Sequence, residues 1–379
     1  MRTRSSKRKR VEVELEEGET SKYFKKEANE KVPEAQKSCL PDSRSVDVES
    51  VKLMGADTYY DWVDARTKDE ITYEPIADRP EFPRNFLPIY QKVRLMRSKI
   101  ATPVDSVGCA MIPLTVGKEF GESKETMLPR TYRFQLLIAL MLSSQTKDEV
   151  NARAMFSLKE YCKEELKDPE GVTLESISRI DQDVLAQLIY PVSFYTRKAL
   201  YIKKAVKLLK DNFDGDMPPD IAGLCSLPGV GPKMGYLALQ KGWGKTDGIG
   251  VDVHVDRLCK MWKWVDPQKA KSPDHTRKLL EEWLPYELWY EINPVLVGFG
   301  QVICLPRGKR CDLCMANDVC NAADRKVVNS AKSRNELRKS RGNVAKWIEY
   351  LEETTGARET LEKGEVKVVL KQSENDVEK

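Results

Sequence analysis

The amino-acid sequence predicts a nearly all-α fold. From Arg133 onward, apolar residues recur at the spacing of successive helices, and Pro, Gly and Asp residues separate these segments. This part of the chain has no sustained strand alternation, no dinucleotide-binding glycine pattern and no internal repeat. The chain has 379 residues, of which 41% are hydrophobic, so it can bury the core of one large domain or of two ordinary ones.

The two ends of the chain are polar and charged. Six of the first ten residues are Lys or Arg (MRTRSSKRKR), an acidic stretch follows, and polar sequence continues to about Arg79. Because little apolar surface can offset the entropy of ordering, we predict disorder over 1–82 and a polar tail over 331–379, with a short helix through Trp347 and Leu351. The basic run predicts a nuclear import signal or a DNA-tethering arm, and a merely solvating tail is the alternative.

Between these ends, a helix is predicted over residues 86–100, followed by a Gly- and Pro-containing connection to about Pro129. Residues 134–142 are apolar nearly all round, which predicts a buried helix. Two further helices are predicted over 181–189 and 196–212. The second carries lysines opposite its apolar face, which indicates a solvated surface or, alternatively, a DNA contact. These lysines are Lys203, Lys207 and Lys210.

Composition argues against several classes of protein. The longest apolar stretch, residues 136–142, is too short to span a membrane, and no segment near the N-terminus resembles a secretory signal. We therefore expect a soluble, intracellular protein with no membrane partner. Nine cysteines in a reducing compartment argue against a disulfide framework, and four of them fall within residues 304–320.

The segment LPGVGPK, residues 227–233, predicts a tight turn between two helices. Gly229 and Gly231 allow a hairpin too tight for larger side chains, and its backbone N–H groups suit an anion such as a DNA phosphate. An ordinary helix–helix turn would be the simpler interpretation if Lys233 did not follow. In the first turn of the next helix the dipole disfavours the charged form of this lysine, which predicts an amine nucleophile.

A second candidate residue is Asp252, which lies nineteen residues after Lys233 in the segment VDVHVDR. Because a helical pattern follows, an aspartate at this position predicts a helix N-cap. The functional alternative is a carboxylate beside the lysine that stabilises positive charge developing on a sugar.

Four cysteines are clustered with six, two and five residues between them, and they are Cys304, Cys311, Cys314 and Cys320. Thiolates at this spacing predict a bound metal, and spacing alone does not choose between a structural zinc ion and an iron–sulfur cluster. The loop between the first two carries three cations, Arg307, Lys309 and Arg310. A short loop tied at both ends by a metal site would direct these cations at a phosphate backbone.

Together these motifs resemble the endonuclease III family. The hairpin, VDVHVDR and the four cysteines have the family's order and approximate spacing, and LSSQTKD (142–148) and LIYPVSFYTRKA (188–199) resemble its eukaryotic members. The resemblance covers roughly residues 86–325. It implies an all-α, two-domain helix-hairpin-helix DNA glycosylase fold, with a six-helix domain over 129–246 and an iron–sulfur cluster domain over 83–128 and 247–330. It also implies DNA bound between these domains, and it favours a [4Fe–4S] cluster over zinc.

The resemblance implies a role for each matching residue. Lys233 stands at the position of the nucleophile, and Asp252 at that of the essential aspartate. Gln145 matches the residue that fills the gap left by the extruded base, although a buried polar bond is an alternative role. Phe194 replaces a smaller apolar wedge of bacterial members on the opposing strand. His254 is expected to support the aspartate segment and not to act as a catalyst.

The implied function is that of a bifunctional DNA glycosylase and abasic-site lyase acting on damaged double-stranded DNA, with oxidised pyrimidines and ring-opened purines as substrates. We expect a monomer in the nucleus, with the mitochondrion as a second compartment. Residues 1–82, 102–127 and 331–379 have no counterpart in the short bacterial members. A monofunctional adenine glycosylase stays open as an alternative, but such relatives lack the lysine and carry an additional C-terminal domain. A second alternative is a non-catalytic DNA-binding protein that senses damage or redox state through the cluster.

Overall fold

The computed structural model describes residues 46–67, 76–330, 347–348 and 350–351. Within these residues all regular secondary structure is helical, which confirms the all-α prediction. None of the described helices is both long and apolar enough to cross a membrane. In chain order, the α-helices of the described residues are α1 (Val48–Lys52), α2 (Ala56–Thr67), α3 (Phe86–Lys99), α4 (Pro103–Val107), α5 (Ile112–Glu119), α6 (Pro129–Ser143), α7 (Asp148–Glu164), α8 (Leu174–Arg179), α9 (Gln182–Leu188), α10 (Tyr195–Asn212), α11 (Ile221–Ser226), α12 (Pro232–Trp243), α13 (Val253–Met261), α14 (Pro273–Glu281), α15 (Ile292–Val302) and α16 (Arg325–Ser330).

The first hydrophobic core is organised around α6, which packs against α5, α7, α10 and α12. Thirteen of the fifteen residues of α6 are buried, so the predicted buried helix over 134–142 is confirmed. Its apolar residues face all directions because neighbouring helices cover each side. Each fully buried Leu or Ile of this kind stabilises the fold by about 1.5–3 kcal/mol relative to an exposed one.

The second core joins α3 to α13, α14 and α15, which lie more than 150 residues further along the chain. Its centre is aromatic: the ring of Phe86 in α3 packs edge-on against Trp264. A buried ion pair reinforces this connection, since Arg94 of α3 lies 2.9 Å from Glu291, which also accepts a hydrogen bond from the hydroxyl of Tyr90. The helix predicted over 86–100 is confirmed, with its end at Lys99.

Two predictions about the first half of the chain are wrong. Residues 46–67 form α1 and α2 instead of being disordered, and the buried hydroxyl of Tyr59 donates to the Gly242 carbonyl at 2.6 Å. A few buried aromatic residues stabilise these short polar helices. A prediction of disorder from the average composition of a charged segment gives such single residues little weight. Residues 103–119, predicted as a connection, form α4 and α5. Ile112 and Val116 of α5 are buried in the first core and not in the cluster domain predicted over 83–128 and 247–330.

The segment predicted as a polar C-terminal tail contributes to the second core. Trp347 is fully buried, and its indole N–H donates to the Leu313 carbonyl at 2.9 Å. Leu351 is also buried, and the described residues around it are helical, as predicted. Neither the basic stretch between 331 and 346 nor the basic N-terminal run is part of the described residues.

Candidate active site

The hairpin joins α11 to α12 and places two glycines in different environments. Gly229 has a φ of +83°, and a Cβ there would lie 2.7 Å from the ring of Tyr201, so that no larger residue fits. A Cβ added to Gly231 would meet no heavy atom of the described residues within 4 Å. The start of α12 therefore faces open space, where a phosphate could approach its backbone N–H groups.

Lys233 is the second residue of α12, directly after Pro232 at the first helical position. Its side chain is half-buried and has no hydrogen bond or ion pair to the described residues. It lines a cavity of about 260 Å³ together with Gly231, Ile249 and Val251. An amine held in a partly apolar cavity without a partner keeps its lone pair accessible once it is deprotonated.

Asp252 is 9% exposed and is the N-cap of α13. Its Oδ1 accepts hydrogen bonds from the backbone N–H of His254 at 2.9 Å and of Val255 at 2.8 Å. The N-cap interpretation is therefore correct. Both bonds use one oxygen, and Oδ2 has no partner among the described residues, so the carboxylate can cap the helix and still present a charged oxygen.

The charges of Lys233 and Asp252 act on the same two titratable groups, Asp148 and His254. Burial raises the pKa of Asp148 above its ordinary value, while Lys233 lowers this pKa and Asp252 raises it. Burial lowers the pKa of His254, a shift that Asp252 opposes and Lys233 reinforces. Because the charges of Lys233 and Asp252 reach both groups, the four side chains share one electrostatic environment.

His254 packs closely against α15. A Cβ added to Gly300 would lie 2.6 Å from the imidazole Nδ1, so the ring occupies the space that this glycine leaves. The buried Nδ1 has no hydrogen-bond partner among the described residues. A desolvated ring in this position favours the neutral imidazole. The supporting role of His254 stays a prediction.

Gln145 and Phe194 lie in neighbouring exposed turns. Both residues have left-handed backbones, with φ angles of 52° and 57°, which cost non-glycine residues roughly 1–3 kcal/mol each. The Ser193 hydroxyl donates to the Gln145 carbonyl at 2.6 Å and so joins the two turns. The Phe194 side chain is 55% exposed, and the guanidinium of Arg197 lies 5.9 Å from its ring centroid. Because Gln145 is exposed, its alternative role as a buried polar residue is wrong.

The four clustered cysteines line one cavity beneath Trp262 and Phe299. The guanidinium of Arg257 donates to Cys304 Sγ at 4.0 Å, and the Asp324 N–H donates to Cys311 Sγ at 3.4 Å. Such donors stabilise thiolate ligands, so the residues fit an iron–sulfur group in their chemistry. Among the described residues, no three His, Cys, Asp or Glu side chains lie close enough to hold a single metal ion.

Residues 138–286 match the sequence model of the HhH-GPD superfamily of base excision DNA repair proteins. Endonuclease III homolog 2 of Saccharomyces cerevisiae is 53% identical over 345 residues, which cover 87% of this chain and 90% of that protein. The chain belongs to the endonuclease III family. Endonuclease III homolog 1 of the same yeast is 42% identical over 384 residues, covering 98% of this chain and 93% of that protein.

A mammalian relative, endonuclease III-like protein 1 of Mus musculus, is 43% identical over 250 residues, covering 66% of this chain and 77% of that protein. Membership of the endonuclease III family confirms the predicted helix-hairpin-helix glycosylase fold. The chain is accordingly a DNA glycosylase of base excision repair.

The basic loop of this endonuclease III family member presents its three cations unequally. Arg307 is exposed, and Gly308 beside it turns the backbone with a φ of +70°. Lys309 is half-buried and lies near the cysteines. The guanidinium of Arg310 donates to the Val302 carbonyl at 2.8 Å, at the end of α15. The structure thus leaves Arg307 as the cation most accessible to a phosphate.

The lysines opposite the apolar face of α10 contact the protein's own carbonyl and carboxylate groups. Lys203 donates to the carbonyls of Ile177, Ser178 and Ile180 at the end of α8. Lys210 pairs with Glu175 at 2.8 Å, while Lys207 is exposed. Two of the three lysines therefore stabilise the packing of α10 on α8, which weakens the alternative of a DNA contact.

Sequence reasoning missed two groups near the site. Asp148 begins α7 and accepts a hydrogen bond from Gln301 of α15 at 3.1 Å. Cys109, between α4 and α5, has a pKa that burial raises and the charge of Lys233 lowers, so the segment 102–127 approaches Lys233. Neither residue belongs to a recognisable spacing, and only the acidic residue after LSSQTK offered a signal.

Proposed function

We propose that this endonuclease III family member is a bifunctional glycosylase and abasic-site lyase that excises oxidised pyrimidines and ring-opened purines. It would then nick the strand through a Schiff base on Lys233. The observation that carries the proposal is the half-buried amine of Lys233, which has no partner among the described residues. This amine shares one electrostatic environment with Asp252, whose Oδ2 makes no hydrogen bond to the described residues. The nucleus would be the site of action, with the mitochondrion as a second compartment.

Binding would use the hairpin and the two exposed turns. The N–H groups around Gly229 and Gly231 would hold a phosphate, and a damaged base that stacks poorly would leave the duplex at reduced cost. Gln145 would fill the gap, while the ring of Phe194 would enter the opposing strand and stack on its bases. The exposure of both side chains and their joined turns support these roles.

In the chemical step, the free amine of Lys233 would attack C1′ of the sugar, and the bond between C1′ and the base would break. The base leaves with the bonding electron pair and takes up a proton, while Asp252 stabilises the positive charge that develops on the sugar. One of the two amine protons then passes to the ring oxygen O4′ as the C1′–O4′ bond breaks, which opens the sugar and leaves a protonated Schiff base that keeps the second N–H. Removal of a C2′ proton then expels the 3′ phosphate by β-elimination, and hydrolysis releases Lys233.

The four cysteines would hold a [4Fe–4S] cluster, which supplies structural linkage in this scheme. A cluster on these thiolates would tie the loop of Arg307 to the end of α15 and to the start of α16, where the Asp324 N–H donates to Cys311 Sγ. The proposed steps need no redox change. A structural zinc ion bound by the same four cysteines is the alternative.

Borohydride trapping on duplex DNA that contains a pre-formed abasic site tests the proposal. We expect reduction to leave a stable protein–DNA adduct that maps to Lys233, together with a nicked strand in the absence of borohydride. Excision of the base from a parallel lesion-containing duplex, without an adduct on either duplex, would indicate a monofunctional glycosylase. Binding without excision or nicking would indicate a non-catalytic damage sensor, and both of these results contradict the proposal.

A further inference from the structure

Lys198 makes a buried contact that the proposed chemistry does not use. It lies on the first turn of α10, four residues after Phe194, and is 6% exposed. Its ammonium donates to the carbonyls of Leu142 at 2.7 Å and Ser144 at 2.8 Å, and lies 3.2 Å from the Thr146 hydroxyl. These three acceptors flank Gln145 on both sides.

The position of Lys198 is unfavourable for α10 itself. A cation in the first turn lies at the positive end of its own helix dipole, and burial costs free energy as well. Burial lowers the pKa of Lys198 to about 8. The carbonyls of Leu142 and Ser144 lie at the end of α6, where a helix favours a cation. The lysine therefore stabilises the turn that carries Gln145.

A second set of contacts joins the same two turns. The Ser193 hydroxyl donates to the Gln145 carbonyl at 2.6 Å, and the Ser193 N–H donates to the Thr146 hydroxyl at 3.3 Å. Phe194 directly follows Ser193, and its carbonyl accepts the N–H of Lys198 at 2.9 Å. The turn of Gln145 and the turn of Phe194 are thus connected from both the buried and the exposed side.

We propose that Lys198 is a positioning residue that holds the Gln145 and Phe194 turns at one separation, so that both side chains enter the duplex as a unit. The inference rests on the proposed gap-filling and wedge roles of these two residues. Without the lysine, both left-handed turns can relax, and the protein must order them again during each extrusion. Chemistry at Lys233 on a sugar that needs no extrusion would be preserved.

The experiment compares Lys198→Met with a matched control, Lys203→Met. Lys203 lies on the same helix and also binds carbonyls at the end of another helix, but its acceptors, the carbonyls of Ile177, Ser178 and Ile180, belong to neither turn. The probe is a duplex with a tetrahydrofuran abasic analogue opposite 2-aminopurine, whose fluorescence rises when the opposing base is unstacked. This readout involves no bond cleavage, so it is independent of the nucleophile assignment.

We expect Lys198→Met to lose most of the fluorescence change and to excise a lesion from duplex DNA about tenfold more slowly or worse, as loss of a charge-assisted hydrogen bond implies. Nicking of a single-stranded abasic oligonucleotide should stay near the wild-type rate, because no extrusion is needed. Lys203→Met should resemble the wild type in both assays. Lys198→Arg, which keeps the charge and several donors, should recover part of the fluorescence change.

A full fluorescence change with Lys198→Met, or equal losses on duplex and single-stranded DNA, would overturn the inference. If Lys198→Met does not fold, the double variant Ser193→Ala and Thr146→Val decides instead: a selective duplex defect supports the proposal that the two turns must be held together, and wild-type behaviour overturns it. Failure of the proposed function gives a different result from failure of this inference, because the wild type itself would then not nick single-stranded abasic DNA.

Discussion

Replacing Asp252 by Asn separates its observed role as a helix cap from its proposed catalytic role, because the substitution keeps the cap and removes the charge. Oδ1 alone accepts the N–H groups of His254 and Val255, and an amide oxygen can accept both. Asn and Asp are about equally good N-caps, so we expect Asp252→Asn to melt near the wild-type temperature. Asp252→Ala removes the cap and should lower the free energy of unfolding by about 1 kcal/mol.

The loss of charge should appear in catalysis. Asp252 is 9% exposed, so water screens its interaction with a developing positive charge only weakly. Removal of one well-placed electrostatic contact in an active site costs roughly 10²–10³ in rate. We expect a loss of this size in lesion excision by Asp252→Asn. Residual nicking of a pre-formed abasic site should persist, because the bond to the base is already broken there.

The assay is single-turnover excision of a lesion from duplex DNA, with thermal unfolding measured on the same preparations. Asp252→Asn should lose rate at unchanged stability, whereas Asp252→Ala should lose both. Wild-type excision by Asp252→Asn would refute the catalytic role and leave Asp252 as a helix cap alone. A fall in melting temperature equal to that of Asp252→Ala would instead attribute the lost rate to the cap.

The remaining predictions concern the nucleophile, the cluster and the basic loop. Lys233→Gln should abolish nicking and borohydride trapping while DNA affinity stays nearly intact, and full nicking by this variant would assign the nucleophile to another residue. The purified protein should be yellow-brown with about four irons per chain, and metal analysis showing one zinc and no iron would contradict the cluster, though not the glycosylase activity. Arg307→Ala should flatten the slope of the logarithm of the DNA-binding constant against the logarithm of the salt concentration by about 0.9, for lesion-containing and undamaged duplexes alike. Neutralising Arg307, Lys309 and Arg310 together should change that slope by less than the roughly 2.7 expected of three engaged cations, because Arg310 binds the Val302 carbonyl. A loss confined to the lesion-containing duplex would assign the loop to damage recognition.

Much of the helical fold could be predicted from local pattern. α3 and α6 are long and strongly apolar on the faces that they bury, so their spacing indicated both helices, although α6 begins at Pro129, five residues before its predicted start. α1, α2, α4 and α5 were missed because they are short or polar, and each depends on a few residues that contact distant helices. Tyr59, for example, is buried only because the Gly242 carbonyl and the first core lie beside it.

The candidate site, too, could be predicted from the sequence only in part. Short motifs with their own chemistry, such as the hairpin with Lys233, the aspartate after an apolar run and the four spaced cysteines, can be recognised in the sequence because their function depends on local spacing. The partners of a side chain depend on contacts between elements far apart in the chain. Only the tertiary structure decided that Lys198 binds the carbonyls beside Gln145, that Asp148 shares the environment of Lys233 and Asp252, and that Arg310 binds Val302.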